Sequence, residues 1–124
     1  MNRTRILTVT ASAATCLGLA VAGAAPAAAS SPVLTFKDSA GHVVAKAWYD
    51  DLTDNLCAVS YRDGKTITAQ IGPSSGSGIS RTVVHSGFGK PRSCTGNLSI
   101  PEDKSYWMYV KFASQPSKDT TFYT

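Results

Sequence analysis

Apolar and polar residues alternate along much of the chain after residue 32, most clearly in the segment 66–71. Ile67, Ala69 and Ile71 fall on one side of that segment, and hydroxyl or amide side chains fall on the other. A period of two residues predicts a half-buried β-strand. Since no segment keeps a period of 3.6 residues, we expect few helices or none.

The same pattern predicts eight strands, separated by turn-forming residues. The pair Asp63-Gly64 is typical of a tight hairpin, because glycine accepts the positive φ that such a turn requires. Residues 72–78 are rich in glycine and serine and predict a flexible connection. The predicted strands are 33–37, 43–50, 56–61, 66–71, 79–85, 93–100, 106–113 and 120–124.

The segment 1–29 has the three parts of a secretory signal peptide. Arg3 and Arg5 give it a positive start, residues 6–21 are uncharged, and Ala27-Ala28-Ala29 matches the cleavage pattern. A transmembrane anchor is the less favoured alternative, because the stretch is weakly apolar and no stop-transfer charges follow it. We expect cleavage after Ala29, a single domain over 30–124, and secretion without membrane attachment.

Cleavage would remove Cys16 and leave Cys57 and Cys94, which predict one disulfide in an oxidising compartment. We interpret the face that Cys57 shares with Val59 and Tyr61 as a core face, and we interpret Cys94 as inward-facing too. A bridge between two inner faces predicts an all-β fold, a small two-layer immunoglobulin-like β-sandwich with one disulfide. A small β-barrel is the alternative.

The charge of the domain is modest once the leader is removed. Loss of Arg3 and Arg5 leaves ten basic residues against eight acidic ones, a net charge of +2. The basic residues are scattered rather than clustered, which argues against nucleic acid as a partner.

Two segments resemble parts of a loose group of small secreted actinobacterial β proteins, most of them uncharacterised. The first is CAVSYRDG at 57–64, and the second is SCTGNLSIPEDKSYWMYVKF at 93–112. A cysteine, an Asn-x-x-Ile-Pro-Glu turn and an aromatic-rich strand follow one another in that group. The resemblance covers roughly half of the domain. It implies an extracellular β fold and no particular activity.

No residue set predicts an enzyme, a cofactor or a metal centre. Residues 72–76 match G-x-S-x-G, but that motif needs a strand, a turn and a helix around it. His42 and His85 are the only histidines, and we interpret both as surface or strand-end residues. Asp50, Asp51 and Asp54 favour a turn, with a weak calcium site as the alternative.

The aromatic residues give the functional hypothesis. Trp48 shares a face with Lys46 and Asp50, while Trp107 and Tyr109 share another predicted outward face. Exposed aromatic side chains can stack on sugar rings or anchor a protein partner. In the competing interpretation, a loop covers these tryptophans, or the register of one strand differs by one residue, which would turn its side chains to the other face.

We therefore predict a secreted, non-enzymatic binding module that contacts an extracellular glycan, a cell-wall polymer or a secreted protein. The predicted contacts are Trp48, Trp107 and Tyr109. The alternative is an inhibitor of trypsin-like proteases, in which a loop beside Cys94 would present Arg92 and the Arg92–Ser93 bond.

Overall fold

The computed structural model describes residues 29–124, and this part of the chain forms eight β-strands and no helix. The predicted signal peptide therefore lies outside the described residues, apart from Ala29. Within 29–124 no helix is long and apolar enough to cross a bilayer. The strands are β1 (Val33–Lys37), β2 (Val43–Asp50), β3 (Asn55–Ser60), β4 (Thr66–Pro73), β5 (Arg81–Ser86), β6 (Ser93–Cys94), β7 (Ser105–Phe112) and β8 (Lys118–Tyr123).

The strands form two antiparallel four-stranded sheets, which confirms the predicted two-layer sandwich. The first sheet has the order β1-β2-β3-β6, and the second has the order β5-β4-β7-β8. No strand ladder joins the two sheets within the described residues, so they do not close into a barrel. Facing sheets bury their inner side chains against each other, which is the main stabilising contribution in such a fold.

Aromatic side chains fill the space between the sheets. Tyr49 from the first sheet meets Phe122 from the second with ring centroids 4.8 Å apart. At a second point Phe36 meets Phe112 at 5.6 Å. Full burial of each large apolar side chain contributes about 1.5–3 kcal/mol. These cross-sheet contacts therefore fix how the two layers face each other.

The predicted sixth strand is wrong in length, because only Ser93–Cys94 pairs with a neighbour. Gly96 has a φ of 80° and Ser99 a φ of 50°, so the chain turns where the alternation predicted extended backbone. The Asn97 side chain stabilises that turn by accepting the Ser99 N–H at 2.7 Å. Leu98 is nevertheless buried in the core, which is why the segment resembles a strand in sequence.

The disulfide is confirmed, but its predicted position between the sheets is wrong. Cys57 and Cys94 lie opposite each other on β3 and β6, with Cα atoms 4.1 Å apart, so the bridge lies within the first sheet. It lies on the outer face, because Cys57 is also directly opposite the outward-facing Trp48. The inward side of β3 carries Leu56 and Ala58 instead.

A buried histidine ties the two sheets together at one corner. His85 lies at the end of β5, as one of the two predicted positions has it, but it is not at the surface. His85 on β5 is 4% exposed, and its Nδ1 accepts the backbone N–H of Ser60 on β3 at 2.9 Å. The proton therefore sits on Nε2, which donates to the Lys90 carbonyl at 3.2 Å. His42, in contrast, is exposed and lies 3.5 Å from Asp38.

Candidate functional site

The three predicted contact residues lie on two opposite outer faces of the sandwich. Trp48 projects from β2 on the outside of the first sheet, and Trp107 and Tyr109 project from β7 on the outside of the second. All three side chains are partly exposed. The outward direction predicted for both tryptophans is correct, but the three side chains do not form one patch.

A third aromatic side chain joins Trp107 and Tyr109 on the second sheet. Tyr123 on β8 pairs with Ser105 and is therefore diagonal to Trp107 on the same face. Residues two apart on one strand, and diagonal residues on neighbouring strands, are about 7 Å apart. We call the partly exposed residues Trp107, Tyr109 and Tyr123 the aromatic platform.

Polar side chains border the aromatic platform in register. Gln70 on β4 and Asp119 on β8 lie on either side of Tyr109. The Gln70 amide donates to the Thr82 hydroxyl at 3.3 Å, which fixes it beside the ring. A depression of about 240 Å³ is lined by Gln70, Thr82 and Trp107, among others. The platform thus combines apolar ring faces with hydrogen-bonding groups.

Gly72 determines how Trp107 lies on the sheet. The two residues are paired across β4 and β7, and a Cβ atom at Gly72 would come within 2.8 Å of Trp107 Cε2. Only a residue without a side chain lets the indole lie this close to the backbone of the neighbouring strand.

The strand that carries Tyr123 is held firmly. The Thr124 hydroxyl donates to the Pro101 carbonyl at 2.9 Å, and the backbone N–H of Thr124 donates to the Lys104 carbonyl at 3.0 Å. The Tyr123 carbonyl accepts the Ser30 N–H at 3.0 Å. Tyr123 was missed in the sequence, although alternation in 120–124 places it beside Thr121 on a polar face.

The surface around Trp48 is chemically different, because two cations lie over its ring. Lys46 Nζ is 5.1 Å and Arg92 Cζ is 5.8 Å from the ring centroid. These distances are typical of cation–π contacts. Arg92 is exposed, as the inhibitor alternative requires, but its guanidinium is directed onto its own sheet. That alternative stays a prediction.

No protein family, curated protein or solved structure matches this chain.

The acidic turn after β2 uses its side chains for local hydrogen bonds. Asp50 Oδ1 accepts the Leu52 N–H at 3.0 Å, and Asp54 Oδ1 accepts the Tyr49 hydroxyl at 2.7 Å. Burial, followed by the charges of Asp54 and Asp50, raises the pKa of Asp51. Within residues 29–124 no group of three or more His, Cys, Asp or Glu residues is arranged to hold a metal ion. These contacts agree with the predicted role in a turn.

Proposed function

We propose that this protein is a secreted, non-enzymatic binding module that holds an extracellular polysaccharide on the aromatic platform. The observation that carries the proposal is the presence of Trp107, Tyr109 and Tyr123 together on one outer face of a sheet. The disulfide indicates an oxidising, non-cytoplasmic environment. That environment is compatible with secretion.

Sugar rings suit this surface because each ring has an apolar C–H face and a rim of hydroxyl groups. Aromatic side chains offer a large contact area and lose little conformational entropy when they bind. Gln70, Thr82 and Asp119 border the rings with groups that can donate to or accept from sugar hydroxyls. Within residues 29–124 no cation lies over these three rings, so they are available for stacking.

Replacing Trp107 by alanine should reduce retention on insoluble polysaccharide about tenfold, since removal of a central aromatic contact typically costs more than about 1 kcal/mol. The measurement is a depletion isotherm on chitin, cellulose and peptidoglycan. Trp48→Ala is the matched control, because it removes the same side chain from the opposite sheet. If the folded wild-type protein is retained on none of the three polymers, or if both variants lose binding equally, the platform does not bind glycan.

Gly72→Ala should weaken polysaccharide binding several-fold without removing any aromatic group. The new methyl group would occupy the position of the Trp107 indole and push the ring out of the platform. Overpacking of this kind costs about 1 kcal/mol or more of stability. Gly64→Ala is the control for a loss of stability alone, because alanine is strained at the φ of 66° there while its Cβ atom would meet nothing within 4 Å. Unchanged binding by Gly72→Ala would show that the position of Trp107 does not matter.

A further inference from the structure

A groove of about 500 Å³ crosses the outer face of the first sheet, and the aromatic platform plays no part in it. Its floor is the Trp48 ring together with the Cys57–Cys94 bridge, which lie side by side in register. The volume falls within the range of small-molecule sites, which typically combine an apolar floor with a few polar groups.

Side chains of opposite charge lie at the two ends of the groove. On the positive side are Arg92 and Lys46, and neither has a carboxylate within 4 Å among the described residues. On the negative side is Asp50, two residues beyond Trp48 on the same strand face. One Asp50 oxygen accepts the Leu52 N–H, and within 29–124 the other has no hydrogen-bond donor.

We propose that this groove binds a short zwitterionic peptide, with its terminal carboxylate at Arg92 and its terminal ammonium group at Asp50. A guanidinium pairs well with a carboxylate, and an aspartate with an ammonium group. An apolar side chain in the middle of the peptide would lie against the exposed Cys94 side of the disulfide, next to the Trp48 ring that Arg92 and Lys46 cover. Charge complementarity at both ends distinguishes this ligand from a neutral sugar, which would leave both charges unpaired.

The dimensions of the groove set the length of the peptide. Arg92 Cζ is 5.8 Å from the centre of the Trp48 ring. Arg92 lies over this ring rather than beyond it, so the spacing along the groove is set by Asp50, two residues along β2 from Trp48, or about 7 Å at a rise of about 3.4 Å per strand residue. An extended chain covers about 3.3–3.6 Å per residue, so the first and last residues of a tripeptide are separated by about this distance.

The probe is the tripeptide Ala-Leu-Ala, titrated to 10 mM while the two indole N–H signals are followed by NMR. We expect the Trp48 signal to shift and the Trp107 signal to stay in place. A C-terminal amide and an N-terminal acetyl group should each weaken binding about tenfold, the loss typical of one charge-assisted hydrogen bond.

Two variants assign the ends of the peptide. Arg92→Gln should remove the difference between the free acid and the amide, and Asp50→Asn should remove the difference between the free and the acetylated amino terminus. Lys65→Gln, the loss of one positive charge from a distant hairpin, should leave binding unchanged. The proposal is overturned if neither indole shifts, if only Trp107 responds, or if the acid and the amide bind equally to the unaltered protein.

Discussion

Reduction of the Cys57–Cys94 bridge is expected to lower the free energy of unfolding by about 4 kcal/mol. The two cysteines are 37 residues apart in sequence, so the bridge closes a long loop in the unfolded chain. A closed loop restricts the unfolded ensemble, which raises its free energy relative to the folded state. A domain of this size has a net stability of about 5–15 kcal/mol, so the loss would be a large fraction of it.

The position of the bridge adds a local effect to the loss of stability. β6 has only two residues, and both of its pairings are with β3. Without the bridge, this edge strand keeps the hydrogen bonds between Thr95 and Leu56 but loses its covalent link, so Arg92, two residues before Cys94, would be held less firmly over Trp48. We therefore expect reduction to change the emission of Trp48 before the core unfolds.

Urea denaturation with and without reductant measures the stability loss. The double variant Cys57→Ala/Cys94→Ala is the control, because its midpoint should equal that of the reduced protein and should not respond to reductant. Equal midpoints for oxidised and reduced protein would mean that the bridge contributes nothing to stability.

Alternation predicted the strands well where one face is apolar and the other polar. In β2, the buried residues Ala45, Ala47 and Tyr49 alternate with partly exposed ones. The same holds in β7, where Tyr106 and Met108 point inward. A half-buried strand carries its orientation in its own sequence, because each face meets a different environment.

The orientation of β3 could not be predicted from alternation, because both of its faces are buried. Residues 56–60 of the strand are all buried, so its apolar residues do not reveal which side faces the core. Cys57 and Val59 lie on the outer face of the first sheet, where Cys57 is 5% exposed. If the wrong alternate residues are assigned to the core, every side chain of the strand is placed on the opposite face. This error placed the predicted disulfide between the sheets.

The aromatic platform could be predicted only in part. Trp107 and Tyr109 share a strand, so their common face follows from local alternation. Whether Trp48 or Tyr123 joins them depends on which strands pair, and pairing is decided by contacts between residues distant in sequence. The contact of Arg92 with Trp48 likewise depends on a loop that returns across the sheet, whereas Lys46 lies on the same strand face as Trp48.

Two buried tyrosines should respond in opposite ways to the same substitution by phenylalanine. Tyr49 and Tyr106 are both 0% exposed. The Tyr49 hydroxyl donates to Asp54 at 2.7 Å, whereas the Tyr106 hydroxyl has no partner within residues 29–124. We expect Tyr49→Phe to cost about 2 kcal/mol, because a hydrogen bond to a charged group is lost. We expect Tyr106→Phe to leave stability unchanged or raise it by about 1 kcal/mol.

Alkaline pH offers a second test of Tyr49. Burial, and then the bond to Asp54, raise the pKa of its phenol above the ordinary value of 10.0. The folded protein therefore keeps this proton at a pH where the unfolded chain releases it, so stability falls as pH rises past about 10. Tyr49→Phe should remove that part of the fall, and Tyr106→Phe is the control that should keep it.

Denaturation curves of the wild-type protein and both variants at pH 7 decide the comparison. The substitution removes one hydroxyl from a fully buried ring in each case, so the lost apolar packing is the same and only the hydrogen bonding differs. Equal losses in the two variants would mean that the Tyr106 hydroxyl has a hydrogen-bonding partner, such as an ordered water molecule. The absence of a side chain at Gly78 leaves space beside this oxygen, since a Cβ atom there would lie 2.9 Å from it. A loss in Tyr49→Phe alone would show that the contact with Asp54 anchors the turn that leads from β2 into β3.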